Sequence, residues 1–318
     1  MSAQSRAEAD WLIGLNVTRA LTCKYNAQLS AGRVQTPTLA MIIERENEIK
    51  KFKPKDYWTI QASVQIESDM FTLTWKDKST GQARIFANEQ ALEIVSKVKD
   101  QTGQIIDVNK NSKKELPPLA YDLTELQRDA NRRYSYSAKK TLSIMQRLYE
   151  NHKLVTYPRT DSKYITEDIV PTLPERLKSI SVGSYAPLVQ NVLRNKIKVT
   201  KRFVDNNKVS DHHAIIPTEQ YVDLSSLNSE ERNIYDLIVR RFLAVLNPPF
   251  EYEQTTITMD IKNELFYAKG RIIKSLGWKD VYDTYGCIGD DDGDDDDNDD
   301  DSDNYNGNYG YNYEHEKS

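Results

Sequence analysis

In the stretch Leu154-Val155-Thr156-Tyr157-Pro158-Arg159-Thr160-Asp161-Ser162 a phenol, a guanidinium and several short polar groups fall within a few residues of one another. That set suits phosphodiester chemistry. A tyrosyl oxygen can attack phosphorus and hold it as a covalent ester, while an arginine two residues on neutralises the charge that builds on the phosphoryl oxygens. A phenol is unreactive at its ordinary pKa of about 10, so it needs such neighbours. Pro158 disfavours helical backbone at the residue before it, which predicts an extended Tyr157 presented from a strand end. Tyr157 is nevertheless one of 19 tyrosines, and a half-buried phenol on a strand end is the competing reading.

The elements that must position this segment read as helices. Thr124 and Gln127 form a T-x-x-Q capping pattern, followed by a basic face of Arg128, Arg132 and Arg133 that suits either phosphate tracking or plain solvation. Ser137 caps the next predicted helix, with Leu142, Met145, Leu148 and Tyr149 as its buried stripe. Asn151, His152 and Lys153 then deliver the chain to the tyrosine. A later helix, capped at Asn228 with Glu231 at N3, turns Ile234, Leu237, Ile238 and Phe242 inward, and Pro248-Pro249 ends it.

On both sides of this helical stretch the pattern changes. The first fifty residues predict two helices, one carrying Trp11, Leu12, Leu15, Thr18 and Arg19 at helical spacing, the other Leu39, Ile42, Ile43 and Ile49. Between them lies Ser30-Ala31-Gly32-Arg33-Val34-Gln35-Thr36-Pro37, with Pro37 in the first turn of the second helix. From Tyr57 the period switches to two. Trp58, Ile60, Ala62, Val64 and Ile66, then Phe71, Leu73 and Trp75 after a polar turn at Glu67 to Asp69, predict an antiparallel hairpin. A helix near Asn88 to Lys99 and a strand at Gln104 to Val108 follow. Alternation returns at Ile257, Met259, Ile261 and Phe266, so the two β segments are expected in one sheet with the helical domain inserted between them.

The net charge of -5 hides an asymmetry. Asp290 to Ser318 hold eleven aspartates and two glutamates against one lysine, leaving a basic body of +7, compatible with a phosphate backbone as partner. This low-complexity tail is expected to be disordered, and its aspartates lack the closing glutamate of a calcium-binding helix-loop-helix. Cys23 and Cys287 have no ligand spacing for zinc. No apolar run reaches membrane-spanning length and the N-terminus lacks a signal peptide's apolar region, so a cytoplasmic protein without membrane contact is the expectation.

The segment LVTYPRTDS resembles the active-site motif of type IA DNA topoisomerases, and is especially similar to that of the topoisomerase III group. Three further segments stand in the order that family requires: RAEADWLIGLNVTRALT from Arg6, SAGRVQTPTLA from Ser30 and SDHHAIIPT from Ser210. The resemblance implies an α+β, multidomain fold: helical domains joined by an antiparallel β-rich arch, followed by the acidic tail. Its expected parts are a partial DNA-gate domain at 1-52, the arch at 53-115 and 248-285, the inserted tyrosine domain at 116-247, and the tail at 286-318.

It also implies roles. Tyr157 is the expected nucleophile, Arg159 contacts the scissile phosphate, and His212 belongs to the active site, whereas His213 keeps a structural reading. Asp161 is open between orienting protons and capping the turn toward Ser162. Ser30, Ala31, Gly32, Arg33, Val34 and Gln35 match a DNA-contact segment, or else form an ordinary inter-helix turn, and Arg6 and Asp10 correspond to positions near bound nucleotides. Single-stranded DNA is the implied substrate, cut and resealed through a 5'-phosphotyrosyl link without ATP.

Magnesium is the implied cofactor. The family holds it in an N-terminal TOPRIM domain, and no matching acidic pattern precedes Tyr157. Its ligands are therefore expected outside this chain, in a separate TOPRIM-containing polypeptide, and the later part of the family's sheet domain is expected to be missing after Trp278. The alternative is a noncatalytic single-stranded DNA-binding protein or an inactive relic. A tyrosine recombinase is disfavoured, because the arginines and histidine do not precede the tyrosine in that family's order.

Overall fold

The computed structural model describes residues 2–66, 69–194, 197 and 199–283. The acidic tail and Cys287 lie outside these residues, as do positions 67–68 of the predicted hairpin turn. In chain order the elements are α1 (Ser2–Ala9), a π-helical turn (Asp10–Leu15), α2 (Asn16–Tyr25) and α3 (Gln35–Lys51). Next come β1 (Gln61–Ile66), β2 (Asp69–Trp75), α4 (Asn88–Val98), β3 (Gln104–Glu115), α5 (Leu123–Tyr134) and α6 (Ala138–Glu150). The remainder are α7 (Leu173–Ser179), α8 (Tyr185–Arg194), α9 (Ser229–Val245), β4 (Phe250–Ile261), β5 (Glu264–Ser275) and α10 (Asp280–Asp283). The chain divides into two compact units, Met1–Gln104 with Met259–Tyr267, and Ile105–Thr258 with Ala268–Ser318.

In the first unit, β1 and β2 form the antiparallel hairpin that the alternation predicts, in the register Gln61↔Thr74 to Ile66↔Asp69. The ladder starts later than expected, at Gln61, because Trp58 pairs instead with Ile85 as a lone bridge. β2 pairs antiparallel with β5 through Thr74↔Tyr267 and Trp75↔Phe266, so the two β segments distant in sequence do share a sheet. Leu73, Trp75, Met259 and Phe266 are buried there. The indole of Trp75 donates to Glu264 at 2.9 Å, and Lys97 pairs with the same carboxylate at 2.6 Å.

Helices α1 to α3 match the predicted positions, with Pro37 in the first turn of α3. Their apolar stripes are not covered by the described residues. Trp11 is 69% exposed, Met41 70% and Ile42 55%. Amphipathic spacing thus produced helices but no buried face.

In the second unit β4 lies between β3 and β5. β3 continues well past Val108, to Glu115. Around α9 gathers the helical core: Ile234, Leu237, Ile238 and Phe242 are buried as predicted, and so are Tyr235 and Val239 on the other faces. Burial on every side, Glu231 and Arg240 included, places this helix at the centre of its domain. Asn228 and Glu231 form the expected reciprocal capping box.

Charges also knit this interior. Arg241 donates to Asp129 at 2.7 Å, and Tyr121 donates its hydroxyl proton to the same carboxylate. Burial pushes the Tyr121 phenol well above its usual value, which keeps it a donor. Arg128 and Arg132, two members of the predicted basic face, pair with Glu125 and Asp129 on the same helix.

Two local predictions are corrected. The cap of α5 is Asp122 rather than Thr124: extended backbone at Asp122 lets its carboxylate accept the Glu125 N–H at 2.7 Å, while Thr124 is already inside the helix. The stripe of α6 centres on Thr141, Ile144, Met145 and Leu148, leaving Leu142 and Tyr149 half-buried at its edges.

After Pro248-Pro249 the chain enters β4 as predicted, and Gly277 closes against this corner. It has φ +49°, and a Cβ there would lie 2.2 Å from the Pro249 carbonyl oxygen. Gly277→Ala is therefore expected to destabilise the second unit by more than about 1 kcal/mol, lowering the midpoint of urea unfolding followed by fluorescence.

Candidate active site

Tyr157 is placed by a short path from α6. The helix ends at Glu150, Lys153 takes a left-handed conformation at φ +57°, and the Leu154 N–H returns to the Leu148 carbonyl at 3.0 Å. Leu154 and Val155 are then buried, and Val155 pairs with Pro217 as an antiparallel bridge. Thr156 continues the pairing. Its N–H donates to the Ile216 carbonyl at 3.0 Å, and its hydroxyl donates to the Ala214 carbonyl and accepts from the Ile216 N–H, both at 3.0 Å. Tyr157 follows directly and is half-buried, outside any helix.

This pairing carries His212 to the tyrosine across 54 intervening residues. The two rings lie 4.1 Å apart at 34°. The hydroxyl of Thr160 donates to the His212 carbonyl at 3.0 Å and secures that loop. On another side, Tyr149 meets Tyr157 edge-on, with centroids 5.6 Å apart and planes at 86°.

The remaining predicted residues divide clearly. Arg159 and Asp161 are exposed on the same turn, and neither makes an ion pair among the described residues. A capping role for Asp161 is corrected: the Ser162 N–H donates to the Thr160 hydroxyl at 3.1 Å, and the Ser162 hydroxyl reaches the Lys208 carbonyl at 2.8 Å. His213 has the structural role expected of it. Its Nδ1 lies 2.8 Å from the Ala214 carbonyl, and burial holds its pKa below the usual histidine range, helped by the charge of Arg176.

The segment Ser30 to Gln35 belongs to the first unit. Ala31 donates its N–H to the Thr18 hydroxyl at 2.9 Å, and Gly32 donates to the Thr36 hydroxyl at 3.0 Å, so the turn is stapled to α2 and to the start of α3. Arg33 grips Asp10 in a two-pronged pair, at 2.8 and 3.3 Å. That hydrogen bond lowers the Asp10 pKa. Val34 is exposed, Gln35 begins α3, and Arg6 lies in the last turn of α1.

Sequence reasoning missed the residues that hold the turn. Thr156 and Thr160 were visible only as polar neighbours of the tyrosine, and Arg176 had no role assigned. Arg176 is buried on α7, donating to the Pro217 carbonyl at 2.7 Å and pairing with Glu219 at 2.7 Å. An arginine between Leu173 and Leu177 at helical spacing was the available signal. Among the described residues there is no group of three or more His, Cys, Asp or Glu that could hold a metal ion.

Residues 1–305 match the family model described as DNA topoisomerase. The chain belongs to the DNA topoisomerase family. It is 56% identical over 283 residues to DNA topoisomerase 3 of Bacillus cereus, and 53% identical over 282 residues to that of Bacillus subtilis. Each alignment covers 89% of this chain and 38% of the relative, so the chain spans well under half the length of the curated relatives it matches. Among solved structures, full-length topoisomerase I from Thermotoga maritima superposes with a TM-score of 0.65 at 25% identity, over 88% of this chain and 45% of that one. The fold is that of the type IA topoisomerases, and among the described residues no helix is long and apolar enough to cross a membrane.

Two outcomes are expected from the hydrogen bonding. Thr160→Val strips the donor that serves His212 and the acceptor that serves Ser162, costing about 1–3 kcal/mol in urea unfolding. The contribution of His213 is present in full above its unfolded value of about 6.5 and is lost as pH falls through its lower folded value. Unfolding free energy should therefore decline between pH 7 and 5, and His213→Gln should flatten that decline.

Proposed function

We propose that this chain carries the DNA-cleaving tyrosine of a topoisomerase III-like type IA enzyme, which cuts and reseals one DNA strand through a 5'-phosphotyrosyl intermediate. The observation that carries this reading is the presentation of Tyr157: a phenol on a pinned turn, stacked on His212, with the exposed Arg159 two residues away. In the forward step the phenolic oxygen bonds to phosphorus, the bond to the 3'-oxygen breaks, the phenol gives up its proton and the leaving oxygen takes one up. Religation reverses each change. The ester is exchanged rather than hydrolysed, so no ATP is needed. Arg159 matches the developing charge on two phosphoryl oxygens with its planar fork.

The turn at Ser30 to Gln35 would meet the backbone of a single DNA strand. Because Arg33 is engaged by Asp10, DNA binding there would exchange that carboxylate for a phosphate. We further assign residues 1-52 to a partial DNA-gate domain, 53-115 and 248-285 to the arch, and 116-247 to the tyrosine domain. Magnesium and the acid-base partner would come from a TOPRIM-containing polypeptide. The uncovered apolar stripes of α1 to α3 support a folded partner of this kind. A cytoplasmic setting follows from a DNA substrate.

The test is to incubate the chain with 3'-end-labelled single-stranded DNA and magnesium, with and without a TOPRIM-containing fragment, and to quench with denaturant. The expected result is a labelled covalent adduct in the presence of the fragment, abolished by Tyr157→Phe and reduced about 10²–10³-fold by Arg159→Ala. No adduct in either condition, with salt-sensitive DNA binding intact, would instead identify a noncatalytic single-stranded DNA-binding protein.

A further inference from the structure

The backbone around Tyr157 is fixed, since Thr156 is paired on both its polar groups and Pro158 is buried. Backbone pairing leaves the side-chain torsions free, and a phenol that must reach phosphorus in line cannot wander among its rotamers. What restrains the ring is a pair of ring contacts at different angles. His212 lies over its face at 4.1 Å and 34°, and Tyr149 stands nearly perpendicular at 5.6 Å, inside the 4.5–7 Å range of favourable edge-to-face pairs.

The two restraints differ in stiffness. His212 is itself exposed, on a loop held through its carbonyl by Thr160. Tyr149 sits on the last turn of α6, one turn beyond Met145 and beside Leu148, both fully buried. Its own ring is further engaged by the Lys153 ammonium, 5.9 Å from the centroid, on the residue whose left-handed backbone turns the chain toward the tyrosine.

We infer that Tyr149 is a positioning residue for Tyr157: its ring, held on α6, keeps the phenol in one orientation between itself and His212. The inference rests on the reading of Tyr157 as nucleophile, and Tyr149 itself touches no DNA in this role. The ring supplies the effect, not the hydroxyl. Release of Tyr157 into three staggered wells, with displacement of about 1 Å worth about 10²-fold in rate, brackets the loss between about 3-fold and 100-fold.

Two measurements test it. With the TOPRIM-containing fragment and saturating single-stranded DNA, Tyr149→Ala should slow adduct formation within that bracket while leaving DNA affinity unchanged, and Tyr149→Phe should stay close to wild type. Equal losses in the two variants would assign the role to the hydroxyl, and an unchanged rate in Tyr149→Ala would remove it; either overturns the inference.

The second measurement needs no chemistry. In carbon-13 tyrosine spectra, the Tyr157 ring signal, identified by its disappearance in Tyr157→Phe, should move toward the free-tyrosine position in Tyr149→Ala and hold in Tyr149→Phe. A signal unmoved in Tyr149→Ala overturns the clamp. A moved signal in a chain that never forms the adduct would uphold the clamp and count against the nucleophile reading instead.

Discussion

The pairing of residues 154–156 with residues 214–218 is the constraint on which the candidate site depends. Val155 bridges Pro217, Thr156 uses both its N–H and its hydroxyl on Ala214 and Ile216, and Thr218 returns to Leu154. These are buried polar groups, and each would carry a desolvation cost if its partner were withdrawn. The pairing therefore closes only when the two segments adopt one register. That register sets His212 against Tyr157 and lets Thr160 secure the loop between them. Behind it stand Arg176, locking Pro217, and the buried body of α9, against which the helices of the second unit pack.

The same logic explains why the candidate phosphate-facing groups are lightly held. Arg159 and Asp161 are exposed, while their neighbours Pro158, Thr160 and Ser162 are buried. Alternation in burial along the turn places anchoring residues inward and leaves charged ones outward, where a phosphate can replace water. In the first unit the arrangement differs: Arg33 is pre-paired to Asp10, so any anion that takes the guanidinium must compete with a carboxylate. Both ends of that pair are exposed, so the competition takes place in a high dielectric and is mild.

Much of the fold was legible because it rests on local periodicity. The hairpin Gln61–Trp75, the capped helix α9 and the proline corner after it all follow from patterns within a dozen residues. The errors were local as well. Thr124 lost the cap to Asp122 because a cap depends on the φ and ψ of one residue, which a four-residue pattern does not specify. Strand β3 ran on to Glu115 through residues of poor β propensity, since pairing with β4 outweighs intrinsic preference.

By itself, then, the chain's sequence determined the family: a tyrosine before a proline, an arginine two places on, and three further motifs in family order. It determined the helices and strands wherever hydrophobic spacing repeats. Only the tertiary structure decided which groups meet. That Tyr149 stands edge-on to Tyr157, that Thr160 rather than Asp161 caps the turn, and that the stripes of α1 to α3 stay uncovered in their unit are outcomes of long-range packing. Spacing along a chain reports which face a residue occupies, whereas the occupant of the space opposite that face is set by segments far away in sequence.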